Sequence, residues 1–124
     1  MELKLRKKYK YTIYRLNDDN TTITIDKKVE KSDKYEDFIG ELPETDCRYA
    51  VYDFEYEKSP AEGMRNKICF VVWVPDTSKV RQKMLYASSK DAIRKKLAGI
   101  AVEIQATDMS EIAYESVLEK VKSH

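Results

Sequence analysis

NKICFVVWVPDTSKVRQKMLYASSKD, running from Asn66 to Asp91, decides the fold. Ile68 to Val74 is apolar at every position. A strand of that kind is buried on both faces, so helices must cover both sides of its sheet. Pro75-Asp76 breaks it. Beyond the break the apolar period changes from that of a strand to that of a helix. Val80, Met84 and Ala87 are expected to form the inward stripe of that helix. Ser88-Ser89-Lys90-Asp91 matches a capping box, which predicts a kink or restart near Ser88. A second helical piece follows, with Ala92, Ile93 and Leu97 inward and Gly99 as a left-handed cap.

Working outward, Tyr9 to Leu16 and Thr21 to Val29 alternate and read as a hairpin around the polar turn Asn17-Asp18-Asp19-Asn20. Ser32 or Asp33 is expected to cap a short helix with Tyr35, Phe38, Ile39 and Leu42 on one face, ended by Pro43. Arg48 to Tyr56 reads as a third strand, and residues 57–65 as a loop. Ile100, Val102, Ile104 and Ala106 alternate as a fifth. Asp108-Met109-Ser110-Glu111 is another capping box. It opens a last helix with Tyr114, Val117, Leu118 and Val121 inward. The sum is an α/β fold: a central five-stranded mixed sheet flanked by helices on both faces. At 124 residues, 1–124 is read as a single domain.

Composition excludes several classes. The balance of 23 basic against 22 acidic residues argues against a nucleic-acid binder. No apolar run reaches the roughly 18 residues that span a bilayer, so no transmembrane segment is expected. Cys47 and Cys69 lie in apolar runs without metal-ligand spacing and read as buried, reduced thiols of a cytoplasmic protein. The only histidine is His124, at the chain end. No phosphate-binding glycine loop and no nucleophile elbow occur. Asp53 with Glu55 follows a strand period that can face solvent, and Ser88 and Ser89 have no accompanying base. The chain reads as no enzyme, with no catalytic residues, no metal and no cofactor.

The basic helix carries the stronger signal. Residues 79–96 hold Lys79, Arg81, Lys83, Lys90, Arg94, Lys95 and Lys96 against Asp91 alone. Acid gathers elsewhere, at Glu36, Asp37, Glu41, Glu44 and Asp46. With Val80 inward, Lys79, Lys83, Tyr86 and Lys90 share one flank, and Arg81, Leu85 and Ser88 the other. Leu85 would then be an exposed apolar residue beside a guanidinium. A solvated helix would carry paired charges of both signs, and this one carries almost no acid. Cations around a small apolar contact suit an acidic protein cleft or a phosphoinositide head group.

The stretches LPETDCRYAVYDFEY (42–56), NKICFVVWVPD (66–76), VRQKMLYASSKDAIRKKLAGI (80–100) and IQATDMSE (104–111) resemble the actin-depolymerising factor (ADF)/cofilin family. The resemblance implies an ADF-homology domain that binds actin monomers and filaments, severs filaments and speeds depolymerisation. It implies actin contacts at Arg81 and Lys83, surrounded by Met84, Leu85, Ser88 and Ser89. It implies filament contacts at Arg65, Lys67, Glu119 and Lys120, and at Arg94 and Lys95. Arg94, Lys95 and Lys96 are the phosphoinositide-binding expectation. The implied setting is the cytoplasmic actin cytoskeleton, with nuclear entry. A non-severing regulator of the same fold and a membrane-surface module are the alternatives.

The N-terminus departs from the family pattern. LKLRKKYK aligns with the end of the first family helix, which is therefore largely missing, and Arg6 stands where glycine usually closes it. No serine precedes Ser32 to serve as a regulatory site. Loss of that helix is expected to bare apolar surface, lowering stability or driving a dimer. Sedimentation that finds a compact, very stable monomer would refute this.

Overall fold

Five strands form one sheet in the order β2-β1-β3-β4-β5 in a computed structural model that describes residues 9–17, 19, 22–32 and 34–123. The elements are β1 (Tyr11–Leu16), β2 (Ile23–Val29), α1 (Tyr35–Ile39), β3 (Arg48–Ser59), β4 (Gly63–Trp73), α2 (Val80–Lys96), β5 (Ile100–Ala106), α3 (Met109–Ile112) and α4 (Tyr114–Lys122). β4 and β5 are parallel, and the other neighbours are antiparallel. The parallel pair needs a crossover, and α2 supplies it. The expectations that involve residues 1–8, Asp18, Asn20, Thr21, Asp33 and His124 fall outside the described residues.

The apolar run of β4 is buried on both faces, as expected. Cys69, Val71 and Trp73 point into a core closed by Tyr35 and Phe38 of α1, Ile112 of α3, and Val117 and Val121 of α4. Phe70 and Val72 point the other way, into a core closed by Tyr86 and Ile93 of α2 and by Leu97. The first core is rich in stacked and edge-on aromatic rings, among them Tyr11, Tyr35, Phe38, Tyr52 and Phe54. Both cysteines are buried and free. Burial pushes the Cys69 thiol up to about 12, with the Asp53 charge adding to it, so this thiol stays protonated at neutral pH.

Five local expectations need correction. Residues 57–65 are not a loop: β3 and β4 extend into them and meet in a tight hairpin, where Ser59 pairs with Gly63. Gly63 takes φ 76°, the left-handed conformation that this turn requires. The helix α1 has Lys34 at its N-cap without a side-chain bond, and it ends at Ile39, before Pro43 is reached. Ser32 bonds Asp37 and the Lys34 carbonyl instead. The crossover helix α2 is continuous through Ser88, whose hydroxyl donates to the Leu85 carbonyl (3.1 Å) within the helix and caps nothing. Gly99 does adopt a positive φ of 84°, but α2 closes earlier, through an extended Leu97.

The fifth correction is to the last helix, which is two pieces, α3 and α4, parted at an extended Ala113. Its capping box forms in part, with Glu111 reaching one residue past the N-cap. Asp108 accepts from the Glu111 amide (3.0 Å), and Glu111 reaches back to the Thr107 amide (2.8 Å). The Ser110 hydroxyl on Asp108 and the Thr107 hydroxyl on Glu111, with those amide bonds, hold both carboxyls below the usual range.

Candidate docking interface

The helix α2 has 17 residues, about 25 Å of rod. Its first turn is tied down from several sides. Ser78 donates its hydroxyl and its amide to the Pro75 carbonyl. Thr77 donates to the Glu44 carbonyl (2.7 Å), and the Cys47 amide donates to Gln82 (3.3 Å). The Asp76 amide donates to the Thr107 carbonyl (2.9 Å). The start of α2 and the start of α3 therefore lie at one end of the sheet.

Midway along the rod, Tyr86 locks the helix to the strands. The Leu16 amide donates to its hydroxyl (2.9 Å), and the Tyr49 hydroxyl donates to its carbonyl (2.5 Å). Burial raises the Tyr86 phenol above its ordinary range, so it stays protonated.

The buried stripe is Tyr86, Ile93 and then Leu97, with Gln82, Leu85, Ser89 and Lys90 half-buried beside it. This overturns the expected phase by about half a turn. Val80 and Met84 are not inward: they are 71% and 67% exposed. Ala87 and Ala92 are exposed as well, whereas Tyr86 is in the core and Leu85 packs partly against it. The outward face thus carries Val80, Arg81, Met84, Ala87 and Ser88 in its first half. Arg81 makes no hydrogen bond or ion pair among the described residues. Lys83 is half-buried and donates to the Asp76 carbonyl (2.7 Å), so it serves the helix start as well as the surface. No acid occupies the first turn, so the positive end of the helix dipole adds to these cations.

Five large apolar side chains are exposed among the described residues: Met64, Val80, Met84, Met109 and Tyr114. The sequence puts Val80, Met84 and Tyr114 inward instead. Val80 starts α2, and Met109, 43% exposed, starts α3. Together with Met84 they put apolar surface at the end of the sheet where Arg81 stands. The signal for Val80 and Met84 was present in the sequence: a second apolar stripe on a helix whose core side was already filled.

The remaining expected residues fall into two groups at the opposite end. Arg65 is exposed on the β3–β4 hairpin and donates to the carbonyls of Glu62 (2.9 Å) and Met64 (3.2 Å). Lys67 donates to the Val121 carbonyl (2.9 Å) near the end of α4 and lies 5.9 Å from the Tyr56 ring centroid. That bond places a cation at the negative end of a helix and brings β4 against the segment bearing exposed Glu119 and Lys120. On the other face of the sheet, Arg94 and Lys90 pair with Glu103 of β5 (3.1 and 3.2 Å). Lys95 and Lys96 are exposed and make no such pair among the described residues. Among the described residues no cluster of side chains could hold a metal, and no helix is long and apolar enough to cross a membrane.

The profile of the family described as "Cofilin/tropomyosin-type actin-binding protein" matches residues 1–122. The chain is 60% identical over 120 residues to a cofilin of Mycosarcoma maydis, covering 97% of this chain and 85% of that one. It is 52% identical over 120 residues to a cofilin of Saccharomyces cerevisiae, covering 97% of this chain and 83% of that one. Its fold superposes on the crystal structure of a Streptomyces griseoflavus cofilin with a TM-score of 0.87 at 53% identity, covering 94% of this chain and 84% of that one.

Proposed function

Because the chain belongs to the ADF/cofilin family of actin-binding proteins, we propose that it binds actin monomers and filaments, and severs and depolymerises filaments, through the outward face of α2. The observation that carries this reading is the pairing of exposed Val80 and Met84 with an Arg81 that has no partner among the described residues, on a helix braced by Tyr86. Exposed apolar side chains ringed by cations fit an acidic cleft: the apolar atoms supply burial, and the charges supply orientation and rate of encounter. The hairpin residues Arg65 and Lys67, with Glu119 and Lys120 of α4, form a second contact, which only a filament would engage together with the first. Bridging two subunits changes filament twist, and strain at the edge of a decorated stretch breaks it. The work is mechanical and involves no covalent step. Its place is the cytoplasmic actin cytoskeleton.

The test is cosedimentation with filamentous actin, comparing the native chain with R81A/K83A. Loss of pelleting by a variant that stays folded at the assay temperature supports the reading. Equal pelleting removes the helix from the mechanism.

A second surface is favoured by a separate observation. Lys95 and Lys96 are exposed beside Arg94 at the end of α2 and make no ion pair among the described residues. We propose that these three residues receive a phosphoinositide head group. Flotation with anionic vesicles, comparing the native chain with R94Q/K95Q/K96Q, tests it.

A further inference from the structure

We infer that Glu103 is an internal competitor for the cationic end of α2: it clamps Lys90 and Arg94 against β5, so a ligand bearing clustered phosphates gains Arg94 only by displacing this carboxylate. The inference rests on the phosphoinositide reading of Arg94, Lys95 and Lys96.

The geometry is specific. Glu103 pairs opposite Phe70 in the parallel ladder and so faces the α2 side of the sheet. Its two oxygens are divided between the helix cations. Oε1 accepts from Arg94 Nη1 (3.1 Å), and Oε2 accepts from Lys90 Nζ (3.2 Å). Gln105 Nε2 adds a third donor to Oε2 (3.0 Å) and steadies the carboxylate. Burial alone would raise the Glu103 carboxyl. The Gln105 and Lys90 hydrogen bonds and the Lys90 and Arg94 charges outweigh it and hold the group below the usual range, so it remains an anion at neutral pH.

The contact is also releasable. The Arg94 side chain is 41% exposed, and an ion pair that open contributes little to stability. Arg94 holds Glu103 through one nitrogen, and the rest of its fork makes no bond among the described residues. A phosphate can take that fork in two parallel bonds, the arrangement a guanidinium favours. A lone phosphate would gain one cation and lose the Glu103 pair. A ligand with neighbouring phosphates can hold Lys95 and Lys96 while it exchanges for Arg94. Glu103 would therefore set a threshold of phosphate density.

The test uses the full chain and phosphatidylcholine vesicles with and without phosphatidylinositol bisphosphate, with soluble inositol trisphosphate as a separate arm. E103Q should bind the bisphosphate vesicles about fivefold more tightly, the effect of one freed basic side chain at an anionic surface. D91N removes one negative charge from α2 itself without freeing a donor, and should change binding less than twofold. E103D keeps the charge but shortens its reach, and should still raise affinity; it answers if E103Q melts below the assay temperature. R94Q/E103Q should lose the gain. A matching gain with inositol trisphosphate places recognition in the head group, and a gain confined to vesicles places it in the membrane surface; either supports the clamp. Equal gains in E103Q and D91N, or no gain in E103Q and E103D while the native chain binds, overturn the clamp alone. Absence of binding in every variant overturns the phosphoinositide reading, and the inference with it.

Discussion

The two halves of α2 both carry cations and put them to different uses. In the first half, Arg81 has no ion-pair partner among the described residues and stands beside exposed Val80 and Met84, and the side chains that hold the helix lie on its other side. In the second half, Lys90 and Arg94 are taken up by Glu103, while Lys95 and Lys96 make no ion pair among the described residues. A count of basic residues, two in the first half against four in the second, would favour the second half for docking. Partnership among the described residues separates them: the first half presents apolar surface with a free cation, and the second presents cations of which part are already engaged.

That contrast can be broken in order of expected effect. The largest should come from R81A/K83A, which removes both cations of the first half. Central interface residues of this kind contribute at least about 2 kcal/mol, or roughly thirtyfold in filament affinity. Cosedimentation across an actin titration measures it, and the melting temperature should fall only by the small contribution of the exposed Lys83–Asp76 bond.

Next is Y86F, which should act on stability and leave the surface intact. It deletes the acceptor of the Leu16 amide inside the second core. A buried donor left unsatisfied costs about 1–3 kcal/mol. The denaturant midpoint should fall while the folded fraction still pellets with filaments.

A smaller effect is expected at Lys67. K67M keeps the aliphatic stem and removes the ammonium that bonds the Val121 carbonyl. A cation at a helix C-terminus contributes about 0.3–1 kcal/mol. Lys67 would then act by holding α4, and hydrogen exchange in α4 should quicken in K67M. Unchanged exchange with weakened pelleting would instead make its ammonium a direct contact.

The smallest effect is expected from acid. Glu103 has a lowered folded pKa, so its contribution to stability is fully present above the ordinary glutamate value of about 4.3 and is lost as the pH falls through the folded value. The stability difference between the native chain and E103Q should be constant from neutrality down to that region and shrink below it. Chemical denaturation at stepped pH measures this.

Most of the fold could be read from the chain because burial left plain periods. The unbroken apolar run of β4 announced a sheet covered on both sides, and β5 alternated as strands do. Boundaries were less legible. The β3–β4 hairpin carries Glu57, Lys58 and Glu62 and looks like a loop by composition, yet its ladder continues to Gly63 because exposed strands tolerate charge.

The phase of α2 was misread for a physical reason that bears on function. Val80, Met84 and Ala87 are apolar at helical spacing, and so are Tyr86, Ile93 and Leu97. One stripe fills the core and the other is surplus to folding. Tyr86 wins the buried side because its ring packs on Tyr49 and its hydroxyl accepts from the Leu16 amide. Sequence rules fail where a surface answers to binding as well as to stability. The expected contacts at Arg81 and Met84 keep their exposure, Leu85 is drawn partly inward, and the partners that engage Arg94 and Lys67 lie too far along the chain to be seen in it.

Methionine footprinting tests the central claim most directly, since the described chain carries exposed reporters at Met84, Met109 and Met64. Each would be followed by mass spectrometry after brief oxidation, with and without saturating filamentous actin. Strong protection of Met84, with Met109 protected beside it, is the predicted result. Met84 oxidised as fast in the pelleted complex as in the free protein would contradict the docking of α2.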